Sequence, residues 1–452
     1  MIHALFDDFL TDDRVAALFD APALVQAMLS MEQALAQAQS EHALVPGPSA
    51  TAIGQACDVA RYDLDDLLQA GRRAGSLAIP LVKMLTAEVA KTDAQAARHV
   101  HKGSTSQDVL DTAMAIQSRK AVDLIDARVG ELVQLLRDLA HTHAATPVLA
   151  RTLMQPATVT SFGFKVAQWC LALQRARMAL RRQGEQALSV QLGGAVGTLA
   201  AMGEHGPAVR QRMAELLGLR DPGGQWHTSR DEWIRLGTEI GVLCGSLGKV
   251  ATDLALMCQG EIGELAEPTG AGRGGSSAMP HKRNPVSSLV ALAAARRAPG
   301  QVATLLGCMG QAHERGLGDW QAELAEWPHL LMGAHGALNA LVEAFSGLQV
   351  DTARMRRNID ALQGLVFAEA ATRVLAAVLG QAQAHHLMEQ LSKQAVAEGS
   401  HLLDTTLAHI AADDALRGQI DPATVKQAFD PEEAAHHPAA LTQALLASLP
   451  QA

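Results

Sequence analysis

Apolar residues recur along two stretches of this 452-residue chain in alternating steps of four and three. One series is Leu236, Ile240, Leu243, Leu247, Val250, Leu254 and Met257; the other is Val122, Ile125, Val129, Leu132, Leu136 and Leu139. An α-helix turns every 3.6 residues or about that, so each series lines one side and predicts a long helix with a bundle-type seam. Gly237, Gly241, Gly245 and Gly248 form a strip beside the first seam. Glycine costs a helix interior about 1 kcal/mol against alanine. The strip therefore predicts that another backbone, of this subunit or a second one, packs close there.

The remaining pattern is shorter and punctuated by proline. Residues 1–112 read as short helices broken near Pro22, Pro46-Gly47-Pro48 and Pro80, and 113–350 carries the long periodic helices. Residues 351–452 return to shorter helices, with breaks at Asp421-Pro422 and His437-Pro438. Composition points the same way: 48% of residues are hydrophobic but only 3% aromatic, and Ala and Leu favour helix where a sheet would want Val, Ile, Tyr and Phe. An all-α chain is expected.

Composition also narrows the setting. Cys57, Cys170, Cys244, Cys258 and Cys308 are scattered, odd in number and form no Cys-x-x-Cys pair, as buried thiols in a reducing compartment would be. The start Met1-Ile2-His3-Ala4-Leu5-Phe6 lacks the basic end and apolar run of a signal peptide. No apolar stretch reads as long enough to cross a bilayer, so a cytoplasmic location without a membrane partner is expected. A net charge of -10 argues against a nucleic-acid partner, and local cations must draw in any anionic substrate. His385-His386 and His436-His437 would point about 100° apart on a helix and read as solvated. With no His-Glu-x-x-His pattern either, neither metal nor cofactor is expected.

The densest chemistry lies in Gly274-Gly275-Ser276-Ser277-Ala278-Met279-Pro280-His281-Lys282-Arg283-Asn284-Pro285. Its glycines let backbone approach a ligand closely, its serines can exchange protons, and Lys282 and Asn284 can favour an ionised serine or a developing enolate-like charge. The string resembles the signature loop of the fumarase/aspartase superfamily, Gly-Ser-Ser-x-Met-Pro-x-Lys-x-Asn, with every fixed position matched. His101-Lys102-Gly103-Ser104-Thr105-Ser106-Gln107-Asp108 resembles that superfamily's first substrate-binding segment. Arg151-Thr152-Leu153-Met154-Gln155-Pro156 is similar to its second, and Gly194-Ala195-Val196-Gly197-Thr198 to a neighbouring glycine turn. The resemblance implies a three-part fold (1–112, 113–350, 351–452) whose central helical bundle assembles into a homotetramer with shared active sites.

One side chain narrows the chemistry. Amine-expelling members usually carry Thr-His-x-Gln where this chain has Thr152-Leu153-Met154-Gln155, and Leu153 cannot protonate a leaving group. A carboxylate, with an acid pKa of about 4, needs no such help. Lactone formation from a carboxylate fits. Gly272-Arg273-Gly274-Gly275, His313-Glu314-Arg315-Gly316 through Glu323, and Ala17-Leu18-Phe19-Asp20 through Ala36 are similar to the bacterial 3-carboxy-cis,cis-muconate cycloisomerases. Some relatives have histidine where Pro156 stands.

The resemblance implies a small di- or tricarboxylate substrate and a role for each matched residue. Ser276 is the general acid of lactonisation, and Lys282 and Asn284 stabilise the aci-carboxylate intermediate. Thr105, Ser106 and Gln155 bind or orient substrate carboxylates with His101 beside them, and Arg273 and Arg283 are further anion contacts. Three competing readings are a 3-sulfomuconate cycloisomerase, an adenylosuccinate-lyase-like C–N lyase and a noncatalytic helical scaffold.

Overall fold

The structure, a computed structural model, describes residues 5–270, 272–275 and 278–450. The chain is all-α, as its composition requires. Its longest helix is Ser106–Thr142, with 37 residues, so the hydroxyl-rich segment opens a long helix. Other long helices are Ala21–Glu41, Phe162–Ala187, Asp231–Met257, Val286–Gly307 and Asp319–Ser346. Ala21–Glu41 begins where Asp20 accepts the Ala23 N–H at 2.9 Å and Pro22 sits in the first turn, where its missing N–H costs nothing. At 21 residues it is longer than the short helices expected of this region.

Every residue of the Leu236 seam is buried, and so is the Val122 seam as far as Leu136, with Leu139 half-buried. Three of the four strip glycines lie where close packing demands them. A Cβ would fall 2.9 Å from Leu305 at Gly237, 2.6 Å from Val302 at Gly241 and 2.5 Å from Ala295 at Gly248. Gly245 departs from the expectation, since a Cβ there would meet nothing within 4 Å.

Two other expectations need correction. Among the described residues, helix Asp231–Met257 is long and apolar enough, by length and composition, to cross a membrane. Its most apolar stretch is 56% buried: the seam faces inward, while Val242 is exposed. Pro438 does not break a helix: it lies inside Pro431–Ser448, forgoing one backbone bond of the helix.

The strands are few. Pro147–Thr152 pairs antiparallel with Gln155–Ser161, and Leu265–Ala266 with Gln349–Val350. Contacts divide the chain into two compact units. The first comprises 1–129, 175–248 and 289–340; its interior holds a stack of Trp233 on Trp327, with ring centres 4.0 Å apart, and Trp226 beside it. The second comprises 130–174, 249–288 and 341–452, and includes an apolar cluster in which Leu149 and Val159 of the hairpin join Phe367, Leu391 and Phe429.

Candidate active site

In the first unit the hydroxyl-rich segment is organised around Asp108, which is fully buried. Its Oδ1 accepts the Gly193 N–H at 3.0 Å and meets His227 Nε2 at 2.7 Å. Its Oδ2 accepts the Gly194 N–H at 2.9 Å, the Thr105 N–H at 3.0 Å and the Ser104 hydroxyl at 3.3 Å. The bond to Thr105 is the return half of a capping box: a side chain three residues into the helix satisfies the amide at its start. One carboxylate thus ties the helix start, the glycine turn and His227 together. The turn fits only because Gly194 is glycine, at φ 72, where a Cβ would lie 2.8 Å from the Gly103 carbonyl oxygen. Arg315 clasps the turn's other side, donating to the carbonyls of Ala195 at 2.9 Å and Gly194 at 3.4 Å. The His313-Glu314-Arg315 run thus contributes, through Arg315, a clasp on the glycine turn.

Thr105 and Ser106 are half-buried, and their hydroxyls bond to no other described residue. They sit at the amino end of a 37-residue helix, whose unpaired N–H groups and dipole favour an anion. His101 lies on the same segment at φ 57, its Nδ1 2.6 Å from Glu32 Oε1. Burial pulls its pKa down, but the bond and charge of Glu32, with Asp108 farther off, outweigh this and hold it above the usual value. Behind the segment, Arg230 is buried between Asp111, at 2.8 Å, and Glu323. Trp320 and Gln107 also donate to Asp111. Burial pushes the Glu323 carboxyl above its ordinary range despite Arg230.

In the second unit the Arg151–Gln155 segment is a tight hairpin. Thr152 pairs with Gln155, leaving Leu153 (φ 49) and Met154 (φ 65) as a two-residue turn with both residues left-handed. That is the type I′ arrangement, which usually takes Asn or Gly. Leu153 is 97% exposed, Met154 70%, and Gln155 is exposed beside them. Arg151 anchors the base through a two-pronged contact with buried Glu264, at 2.8 and 3.2 Å.

The signature loop belongs to the same unit. Ser276 and Ser277 lie outside the described residues. Asn284 closes the loop's base: its backbone N–H donates to Gly274 O at 2.8 Å and its side-chain amide to Gly275 O at 3.3 Å. Gly274, at φ 69, is the second position that requires glycine, since a Cβ would meet Asn284 O at 2.9 Å. Lys282 is exposed and its ammonium bonds to no other described residue. Arg273 is held by Glu343 and by Ser287 Oγ at 2.5 Å. Arg283 donates to Glu267 O at 3.2 Å and to Gln349 Oε1 at 3.4 Å. The loop's exit is fixed by Glu267, which caps helix Val286–Gly307 by accepting the Ser287 and Ser288 N–H groups, both at 2.9 Å.

His101, Thr105 and Ser106 are thus together in the first unit, while Arg273, Lys282, Arg283 and Asn284 share one loop of the second and Gln155 sits on its hairpin. The supporting residues Glu32, Asp108, His227, Glu264, Glu267 and Arg315 were not singled out by sequence reasoning as site residues. Asp108 carried a local signal, at the third position after a Thr cap, while Glu32 and Arg315 lay inside runs similar to the cycloisomerases that gave them no role of their own. Among the described residues no group of three or more His, Cys, Asp or Glu side chains could hold a metal ion.

Against known proteins, the profile of the family described as Lyase matches residues 10–300. The chain is 44% identical over 430 residues to the 3-carboxy-cis,cis-muconate cycloisomerase of Bradyrhizobium diazoefficiens, covering 95% of this chain and 94% of that one. It is 41% identical over 397 residues to the nitrosuccinate lyase of Streptomyces davaonensis, covering 86% and 83%. The crystal structure of the 3-carboxy-cis,cis-muconate lactonizing enzyme from Pseudomonas putida is similar with a TM-score of 0.91, at 39% identity over 98% of each chain.

Proposed function

The chain belongs to the Lyase family, within the fumarase/aspartase superfamily, and from that premise we propose that it is a cycloisomerase acting on 3-carboxy-cis,cis-muconate in aromatic catabolism. A carboxylate oxygen of the diene adds to a double bond of the same molecule while a proton is delivered to the adjacent carbon, giving a carboxymuconolactone. Every atom is kept, and no oxidant is needed. The observation that carries this reading is near-full-length identity to a cycloisomerase, 44% over 430 residues. Leu153 agrees with it, since a departing or attacking carboxylate needs no acid there.

In this reading Ser276 supplies the proton, and Lys282 and Asn284 favour the aci-carboxylate intermediate. The free hydroxyls of Thr105 and Ser106 at a helix amino end suit a substrate carboxylate. His101 and Gln155 orient the substrate, and Arg273 and Arg283 lend positive charge from the loop. We also assign the chain three stretches, 1–112, 113–350 and 351–452, and a homotetramer in which the Thr105, Gln155 and Ser276 segments of different copies complete one site.

The test is direct. Purified protein mixed with 3-carboxy-cis,cis-muconate should consume the diene absorbance and yield a lactone by NMR; an unchanged diene refutes the reading. One observation favours a second reaction, the 41% identity to a nitrosuccinate lyase, so nitrosuccinate belongs in the same assay with fumarate release as the readout. For the shared site, Ser276→Ala and Gln155→Ala chains are unfolded together and refolded. Regained activity above either parent is expected, and mixtures that never exceed the parents count against sharing.

A further inference from the structure

His101 is held from two directions by one helix. From Ala21–Glu41, Glu32 bonds to the ring at Nδ1, 2.6 Å, and Gln39 donates to the next carbonyl, Lys102 O, at 2.7 Å. Together they hold a non-glycine residue at φ 57, in the left-handed region. The ring keeps 20% of its surface exposed, and no other described residue bonds to Nε2.

Glu32 is a poor choice for a merely structural strut. It is 1% exposed, and its Oε2 has no hydrogen-bond partner. A buried carboxylate with an unpaired oxygen is destabilising, and a neutral or apolar residue would pack there more cheaply. Its charge has one useful direction, toward the imidazole. The charges that bear on the ring are both negative, Glu32 and the more distant Asp108 at the start of helix Ser106–Thr142. Lys102 sends its ammonium away to Leu44 O at 2.8 Å. The Cys57 thiol beside Glu32 is kept protonated by burial and by that carboxylate, so it adds no charge.

We infer that Glu32 is a positioning residue for the proposed lactonisation: it fixes His101 through Nδ1 so that a charged Nε2–H faces a carboxylate of the substrate. This rests on the cycloisomerase reading and deepens it, since it makes His101 a fixed cation where the chain as a whole is negative. The free acids of such substrates ionise at a pKa of about 4, so any loss of rate above neutrality belongs to the enzyme.

The experiment is the pH profile of kcat/KM on 3-carboxy-cis,cis-muconate. In wild type the rate should fall toward high pH as the imidazolium is lost, and His101→Asn should abolish that fall. Glu32→Gln keeps an acceptor for Nδ1 but removes the charge, and should move the midpoint of the fall toward acid by about one pH unit. A role confined to packing would lower activity without moving the midpoint. If Glu32→Gln yields no folded enzyme, Glu32→Asp, which keeps the charge but draws it back, should shift the midpoint less and in the same direction. An unmoved midpoint, or a fall that survives His101→Asn, overturns the inference. Wild-type protein that makes no lactone overturns instead the reading on which it rests.

Discussion

Asp108→Asn exchanges one buried carboxylate oxygen for an NH2, and the structure says which one. With the amide nitrogen in the place of Oδ2, the N–H groups of both Thr105 and Gly194 would face a donor. In the place of Oδ1 the one newly stranded group is the Gly193 N–H, because His227 can accept at Nε2 by moving its ring proton to Nδ1, an atom buried without a partner in either tautomer. The second orientation should win. Its cost is one orphaned buried donor, about 1–3 kcal/mol, plus the weakening of the retained bonds as they lose charge assistance, about 1 kcal/mol more. We expect about 3 kcal/mol for Asp108→Asn and about 5 for Asp108→Ala, which removes every acceptor at once. Urea unfolding followed by far-UV circular dichroism, at one protein concentration so that assembly does not intrude, measures the difference. Because the same carboxylate holds Thr105 in place, KM for the diene should rise in the asparagine variant. A midpoint and KM both equal to wild type would refute the assignment of Asp108 as the hub.

Ser276→Ala should lower turnover by about a hundredfold or more with the helical fold intact, and Ser277→Ala by less; equal losses would remove Ser276 from the proton transfer. Leu153→His should leave lactonisation equal or slower, whereas a tenfold gain, about 1.4 kcal/mol of transition-state stabilisation, would show that the reaction wants an acid there. Burial holds the His335 imidazole down at about 4 from 6.5, against the opposing pull of Asp12. The unfolded chain therefore takes up a proton at this residue before the folded one does. Its contribution to stability is full above pH 6.5 or so, and drains away as the pH falls toward about 4. Melting scans across that window should show an acid-side loss that is smaller in His335→Gln, and equal losses in both proteins would contradict it.

The periodic seams were legible because a helix that buries one side must repeat its apolar residues, and Leu236 to Met257 does so without a gap. The glycine strip was legible for the same reason, except at Gly245, whose sequence spacing cannot tell a packed position from an open one. The hairpin was not, because its turn residues are Leu153 and Met154 where the usual signal is Asn or Gly. Residues with chemistry of their own, such as Lys282 and Asn284, stood out by their motif. Those that hold them in place did not: Glu32 lies 69 positions from His101, Glu264 113 from Arg151, His227 119 from Asp108 and Arg315 121 from Gly194. No local pattern spans such intervals, and only the folded chain brings the partners within bonding distance.

The exposed hairpin tip makes position 153 cheap to exchange within its own chain. A residue that is 97% exposed fills no space in its own chain, so exchanging it calls for no compensating change in any core. Its backbone is left-handed, a conformation that histidine and asparagine adopt more readily than leucine does. A lineage could therefore gain or lose a proton donor at position 153 in one step, without disturbing the packing of its own chain and with a slight easing of backbone strain on the way to histidine.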